Sequence, residues 1–166
     1  ETTVIYTLSL HDALPILMVS PTNYEKKIPA EYNLSKENPG KILVLVDESM
    51  SPEAGIEIKS NLSESIEILL TNKAGVKMAS MIFVSSLPVP LQKSLSNMPP
   101  SVAAVKTGAD VVLYVSIEDY RLYAMGGSGY SGYLYSRAIL IDTKNDKILW
   151  PEGQSGKHIR DRKSVV

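Results

Sequence analysis

The chain has 166 residues, one domain's length, with 44% hydrophobic and 21% charged residues, a composition that excludes a wholly disordered protein. Its 17 basic and 18 acidic residues give a net charge of −1, which offers nucleic acid no electrostatic footing as a partner. The absence of cysteine excludes a disulfide scaffold, cysteine-ligated zinc and thiol catalysis, and the aromatic content is mostly tyrosine, 9 residues against one Phe and one Trp.

Tyr6-Thr-Leu-Ser-Leu-His-Asp-Ala-Leu-Pro-Ile16 resembles the in-frame translation of a common short-read sequencing adapter. Asp161-Arg-Lys-Ser-Val-Val166 resembles the reverse complement of that adapter in another frame. Segments of such origin carry no fold information, so residues 1–16 and 161–166 are read as adapter-derived and non-native. His11 and Asp12 then have no catalytic weight, and His158 is the one histidine left. Residues 17–40, punctuated by Pro21, Pro29, Pro39 and Gly40, read as an extended linker. The α/β domain is placed at 41–151, with 152–160 a truncated continuation that lacks a closing helix or strand.

Lys41-Ile-Leu-Val-Leu-Val46 is a short continuous apolar run between Pro39-Gly40 and Asp47-Glu48, the pattern of a strand buried on both faces. Ser51-Pro52-Glu53 supplies a helix start, with Ser at the N-cap, Pro at the first position and an acid in the first turn. The helix is expected to run to about Asn72. Leu62, Ile66, Leu69 and Leu70 line its apolar side, Glu57, Lys59, Glu64 and Glu67 its solvent side, and Ala74-Gly75 closes it. Met81 to Val84 reads as a second strand. A proline-rich stretch follows, with a short helix at Leu91–Leu95, and then a helix over Ser101–Lys106 that stops at Thr107-Gly108.

Ala109 to Ile117 is the strongest strand of the chain by β-propensity, extended by Glu118 to Tyr123 toward solvent. Gly126 to Gly132 reads as a flexible loop. Tyr133 to Ile141 and Lys147 to Trp150 are strands joined by the turn-rich Asp142-Thr-Lys-Asn-Asp146, which makes a hairpin. The fold class is therefore α/β: a mixed sheet in the order β-α-β-α-β followed by an antiparallel hairpin, with helices packed on it in two or three layers.

Three stretches together carry a resemblance: Lys41 to Val46, Gly108-Ala-Asp-Val-Val-Leu-Tyr-Val115, and Tyr133 to Ile141 with Ile148-Leu-Trp150. They resemble small bacterial envelope lipoproteins, whose fold is similar to that of the curli-secretion lipoprotein, the lipoprotein activators of peptidoglycan synthases and the amino-terminal domain of the Tol translocation protein. In that group a Gly-Ala-Asp element leads into a central strand, and a late hairpin carries an Asp followed at a distance by two hydrophobic residues and Trp, which Asp142 and Trp150 match. Tyr24 to Tyr32 looks closer still to uncharacterised members, where it lies just after a lipidated cysteine. The resemblance covers about residues 17–151. It implies an address on the periplasmic side of the cell envelope, with membrane attachment only through a lipid anchor upstream of Leu17. Its motifs are structural and imply no enzyme activity.

The chemical candidates are few. Gly127-Ser-Gly-Tyr-Ser-Gly132 has the spacing of a dinucleotide loop, but a β-rich stretch follows it in place of the helix whose amino terminus would hold a pyrophosphate. Gly153 to Lys157 is too short for a phosphate loop. Tyr130, Tyr133 and Tyr135, with Arg137 beside them, suit a partner-contact surface, because tyrosine offers contact area together with a polar tip. Asp47, Glu48, Glu118 and Asp119 sit at predicted strand ends, where α/β sheets bind ligands. They support the alternative of a small-molecule-binding or hydrolytic domain. No cofactor is implied. The resulting expectation is a non-catalytic envelope domain that binds a protein partner or self-associates through Tyr130, Tyr133, Tyr135 and Arg137.

Overall fold

The computed structural model describes residues 31–47, 55–95, 98–124, 130–153 and 155–165. Helix α1 spans Leu34–Glu37 and is followed by strand β1 at Ile42–Asp47 and helix α2 at Gly55–Asn72. Strand β2, Met81–Ile82, is flanked by two 3-10 turns, and helices α3 (Val89–Leu95) and α4 (Pro100–Thr107) come next. Four strands complete the chain: β3 (Val111–Ala124), β4 (Tyr130–Asp142), β5 (Lys147–Trp150) and β6 (Lys157–Val165). The sheet is mixed, in the order β2-β1-β3-β4, with β2-β1-β3 parallel and β3-β4 antiparallel. On the far edge of β4, β5 pairs with Leu140–Asp142 and β6 with Tyr130–Ala138.

Ile42 to Val46 are all buried, as a strand covered on both faces requires. On one face Ile42, Val44 and Val46 join Val111, Leu113, Val115 and Ile117 beneath Leu62, Ile66 and Leu70 of α2. On the other, Leu43, Leu45 and Val112 pack against Leu95 of α3 and Ala103 and Ala104 of α4. This half of the sheet is a three-layer sandwich.

The Gly-Ala-Asp element does structural work at three places. Gly108, at φ +73, caps α4 through its N–H to the Ala104 carbonyl. Asp110 Oδ2 accepts from the Lys41 N–H at 2.8 Å, and Oδ1 meets Lys144 Nζ at 2.7 Å. The Lys144 hydrogen bond, followed by that of Lys41, holds the Asp110 carboxyl below its ordinary range. One side chain thus ties the start of β1 to the β4–β5 turn. Asp142 shapes that turn by accepting from the Lys144 N–H at 2.9 Å and from Asn145 Nδ2 at 2.7 Å.

The structure corrects several sequence expectations. The second strand is shorter than Met81–Val84: Val84–Ser86 is a 3-10 turn, and Ser86 donates through both its N–H and its Oγ to the Phe83 carbonyl. Glu67, expected on the solvent side of α2, is 4% exposed. The loop expected over 126–132 gives way to strand at Tyr130, and Ser131 and Gly132 are already paired with Tyr123 and Leu122. Gly132 suits that close pairing, since a Cβ there would lie 2.8 Å from the Arg121 carbonyl oxygen. Beyond the domain bound placed at 151, Lys157–Val165 forms strand β6, paired with β4, and it includes residues 161–165. The described part of the 17–40 linker is docked: Tyr32 and Leu34 pack on the core, and Glu31 accepts from Trp150 Nε1 at 2.8 Å and from Lys157 Nζ at 2.6 Å. The helix start expected at Ser51-Pro52-Glu53 lies outside the described residues.

Candidate functional site

Beyond α3 and α4, the face that these helices cover continues across β3, β4 and β6, and among the described residues no helix lies over it there. Two features of the sequence populate it. Along β4, Leu134, Ser136, Ala138 and Leu140 are buried toward the α2 side, so Tyr133, Tyr135 and Arg137 stand on the other. Along β3, the register shifts between Ile117 and Asp119. A bulge of one residue flips the alternation. Tyr114 and Ser116 before it, and Asp119, Arg121 and Tyr123 after it, therefore share one face.

Register arranges these residues in transverse rows. One row runs Asp47, Ser116, Arg137 and His158 across β1, β3, β4 and β6. The next is Asp119, Tyr135 and Arg160, and the one beyond it places Arg121 beside Tyr133. In the first row Glu118, at the bulge, meets Arg137 Nε at 3.4 Å and His158 Nδ1 at 3.1 Å. The Arg137 stem runs over Gly156, where a Cβ would lie 2.5 Å from Arg137 Cγ. Asp47 accepts from the Tyr114 hydroxyl, and burial, reinforced by that carboxylate, pushes the Tyr114 phenol up to about 12. In the outer rows the rings of Tyr133 and Tyr135 stack at 4.8 Å between centroids. Tyr123 leans on Tyr133 at 6.5 Å, and the Arg160 guanidinium lies 5.3 Å from the Tyr135 ring centroid. Tyr133 donates to Asp119 Oδ2 at 2.9 Å; desolvation and then that bond raise its phenol.

Three of the four expected contact residues, Tyr133, Tyr135 and Arg137, thus meet on one partly exposed face. Tyr130 opens the same strand, and its side chain lies outside the described set. Among the candidate ligand carboxylates, Asp47, Glu118 and Asp119 are brought to the same face, each engaged by a different side chain; Glu48 lies outside the described residues. A cleft of about 30 Å³, room for a water, lies between α1 and the start of β1, lined by Leu34, Asn38, Ile42, Val76 and Ser80, and none of the candidate carboxylates reaches it. Among the described residues no cluster of three or more His, Asp or Glu side chains has the makings of a metal site.

Sequence reasoning did not assemble Tyr114, Ser116, Tyr123, His158 and Arg160 into this face. The i, i+2 spacing of Tyr133, Tyr135 and Arg137 was the available signal. The bulge that brings β3 into line has no sequence signature here, and the β4–β6 pairing joins residues that composition cannot connect.

No protein-family model and no curated protein matches the chain. Among solved structures it is similar to a lipoprotein of Neisseria meningitidis, at 18% identity and a TM-score of 0.48 over 76% of this chain and 84% of that one. It is also similar to the PelC dodecamer of Paraburkholderia phytofirmans, at 17% identity and a TM-score of 0.43 over 76% of this chain and 72% of that one. A hypothetical protein of Chlamydia trachomatis is similar at 14% identity and a TM-score of 0.42, over 74% and 71% of the two chains. No helix among the described residues is long and apolar enough to cross a membrane.

Proposed function

We propose that this chain is a non-catalytic binding domain of the bacterial envelope, which receives a protein partner on the open face of β3, β4 and β6. The observation that carries the reading is the stack of Tyr123, Tyr133, Tyr135 and Arg160 on a sheet surface that no helix covers among the described residues. Tyrosine and arginine are among the side chains that concentrate binding energy at protein interfaces, tyrosine because it buries large area with two side-chain torsions and arginine because its planar fork pairs and stacks. Rigid strands hold them in register, so ordering them on binding costs little. The envelope address and the upstream lipid anchor come from the sequence resemblance. The carboxylates on this face are each engaged by a tyrosine, an arginine or a histidine, which suits positioning of the surface more than proton transfer.

The test is site-specific photocrosslinking. A benzophenone amino acid is placed at Tyr133 or Tyr135, and at the 83% exposed Val105 of α4 as a control, in the chain displayed in a bacterial envelope. One adduct of discrete mass is expected at the two tyrosine positions and none at Val105. Equal labelling everywhere, or none at the tyrosines, rejects the reading.

A further inference from the structure

The lysines of this chain are segregated. The row Met81, Ile42, Val111, Asp142 and Lys147 crosses five strands and marks one end of the sheet. Lys41 enters β1 there, and Lys77 precedes the turn into β2. Lys106 closes α4 on the way to β3, and Lys144 and Lys147 belong to the β4–β5 turn. Lys36 of α1 and Lys73 after α2 stand at the same end, because Leu34 and Ser35 of α1 line one cleft with Gly40, Ile42, Gly75 and Lys77. All seven lysines are exposed. The acids at this end are Glu37, Asp110, Asp142 and Asp146, which leaves a surplus of three positive charges. A chain of net charge −1 thus carries +3 at one end and −4 over the remainder. Asp110, paired with Lys144, and Asp142, bonded within its turn, are half-buried, so the exposed acids among these are Glu37 and Asp146.

Lys106 suits the carboxyl end of α4, where the helix dipole favours a cation. Lys41, Lys77 and Lys147 flank strands and have no such role. Met78, next to Lys77, is 69% exposed, a large apolar side chain set among ammonium groups. We propose that this end of the sheet is a docking surface for an anionic lipid bilayer, with the lysines over the headgroup phosphates and Met78 at their interface. Three observations choose a bilayer over a compact partner. All seven cations are lysine, a hydrated point charge on a flexible stem that suits a diffuse layer of charge; Arg121, Arg137 and Arg160, whose forks suit fixed bidentate contacts, stand on β3, β4 and β6. The lysines come from separate helix ends and turns, and the cleft among them has room of about 30 Å³, which encloses no single headgroup or side chain. An exposed apolar tip ringed by lysines matches the boundary between headgroups and acyl chains. The surface is also separate from the tyrosine face: Tyr135 precedes Asp142 by seven residues along β4, roughly 23 Å of strand. A chain resting on its lysine end would hold those tyrosines away from the bilayer.

Cosedimentation of the full chain with vesicles tests this, with equal parts phosphatidylglycerol and phosphatidylcholine compared against phosphatidylcholine alone. Binding is expected on the mixed vesicles, weaker as salt rises, and absent on phosphatidylcholine. Lys73→Gln combined with Lys77→Gln is expected to weaken it by about 10- to 30-fold, since each lysine near a charged membrane is worth about fivefold. Lys59→Gln with Lys93→Gln, on α2 and α3, removes the same charge and should change it by less than about threefold. Circular dichroism of both double variants guards against misfolding, and the comparison of the two vesicle types needs neither variant. Absence of binding to the mixed vesicles, equal binding to both kinds, or an equal loss in the two double variants overturns the proposal. So does a preference for heparin over the mixed vesicles at equal anionic charge, which would make the occupant a soluble polyanion.

Discussion

Where β1 lies beside the start of β3, helices close both faces of the sheet; across β4 and β6 only the α2 side is apolar and buried. The consequence is visible residue by residue. Ile42 to Val46 are buried without a break, whereas along β4 the buried Leu134, Ser136, Ala138 and Leu140 alternate with half-exposed Tyr133, Tyr135, Arg137 and Ile139. Stability is concentrated in the first half, and the side chains with chemistry to offer stand on the second.

The largest effect should separate the two halves. Leu62→Ala removes a fully buried side chain from between α2 and the sheet and is expected to cost about 2–5 kcal/mol in urea denaturation. Tyr133→Ala, on the open face, should cost less, about 1 kcal/mol, through its lost ring stack on Tyr135. Comparable losses would mean that the open face is part of the core.

Next in size is the pH response of the sandwiched half. Glu67 sits 4% exposed on α2, its Oε1 without a hydrogen-bond partner, near a Ser63 hydroxyl that also lacks one. Burial, partly offset by the Val84 backbone and the neighbouring Ser63 hydroxyl and reinforced by nearby Glu64, raises the carboxyl from 4.5 to about 7. The folded chain therefore keeps a proton that the unfolded chain has released between those values. Stability should be greatest below pH 4.5 and fall as pH rises to 7, by at most about 3 kcal/mol. Glu67→Gln should flatten that slope in denaturation curves taken across the interval. A slope unchanged in the variant would assign it to other groups.

A smaller effect tests the hairpin that carries the open face. Gly132→Ala places a methyl against the Arg121 carbonyl and is expected to cost about 1–3 kcal/mol through overpacking. Amide exchange should quicken in β3 and β4 near Leu122 and Gly132 while β1 stays protected.

How much of this was legible in the sequence follows the same division. The sandwiched half could be read because burial on two faces leaves a continuous apolar run, and because Gly108 and Gly75 follow helices with the residue best suited to a left-handed conformation. The tyrosines of β4 could be read as one set because alternation needs no tertiary information. Glu67 was misread because nothing in the spacing of α2 reveals that the turn at Val84 packs over its polar side. The β3 bulge and the docking of β6 depend on pairing between distant segments, and with them went the rows that join Asp47 to His158 and Tyr135 to Arg160. A local reading sees which residues face alike on one strand, but not which strand lies next to it.

The smallest effect probes whether the open half leans on the lead-in. Glu31 reaches Trp150 at the end of β5 and Lys157 at the start of β6, so one carboxylate spans the junction where the β4 edge passes from one partner strand to the next. Glu31→Gln keeps the size of the side chain and an acceptor for the Trp150 N–H, but removes the charge that attracts Lys157. The pair is exposed on the Glu31 side, so the loss in stability should be only about 0.5 kcal/mol. The sensitive readout is fluorescence of the sole tryptophan, buried at 8% exposure: its emission should shift to longer wavelength and its quenching by acrylamide increase if Glu31 holds the lead-in over it. An unchanged spectrum would show that Tyr32 and Leu34 alone dock the lead-in, and that the open half is held by its own strands.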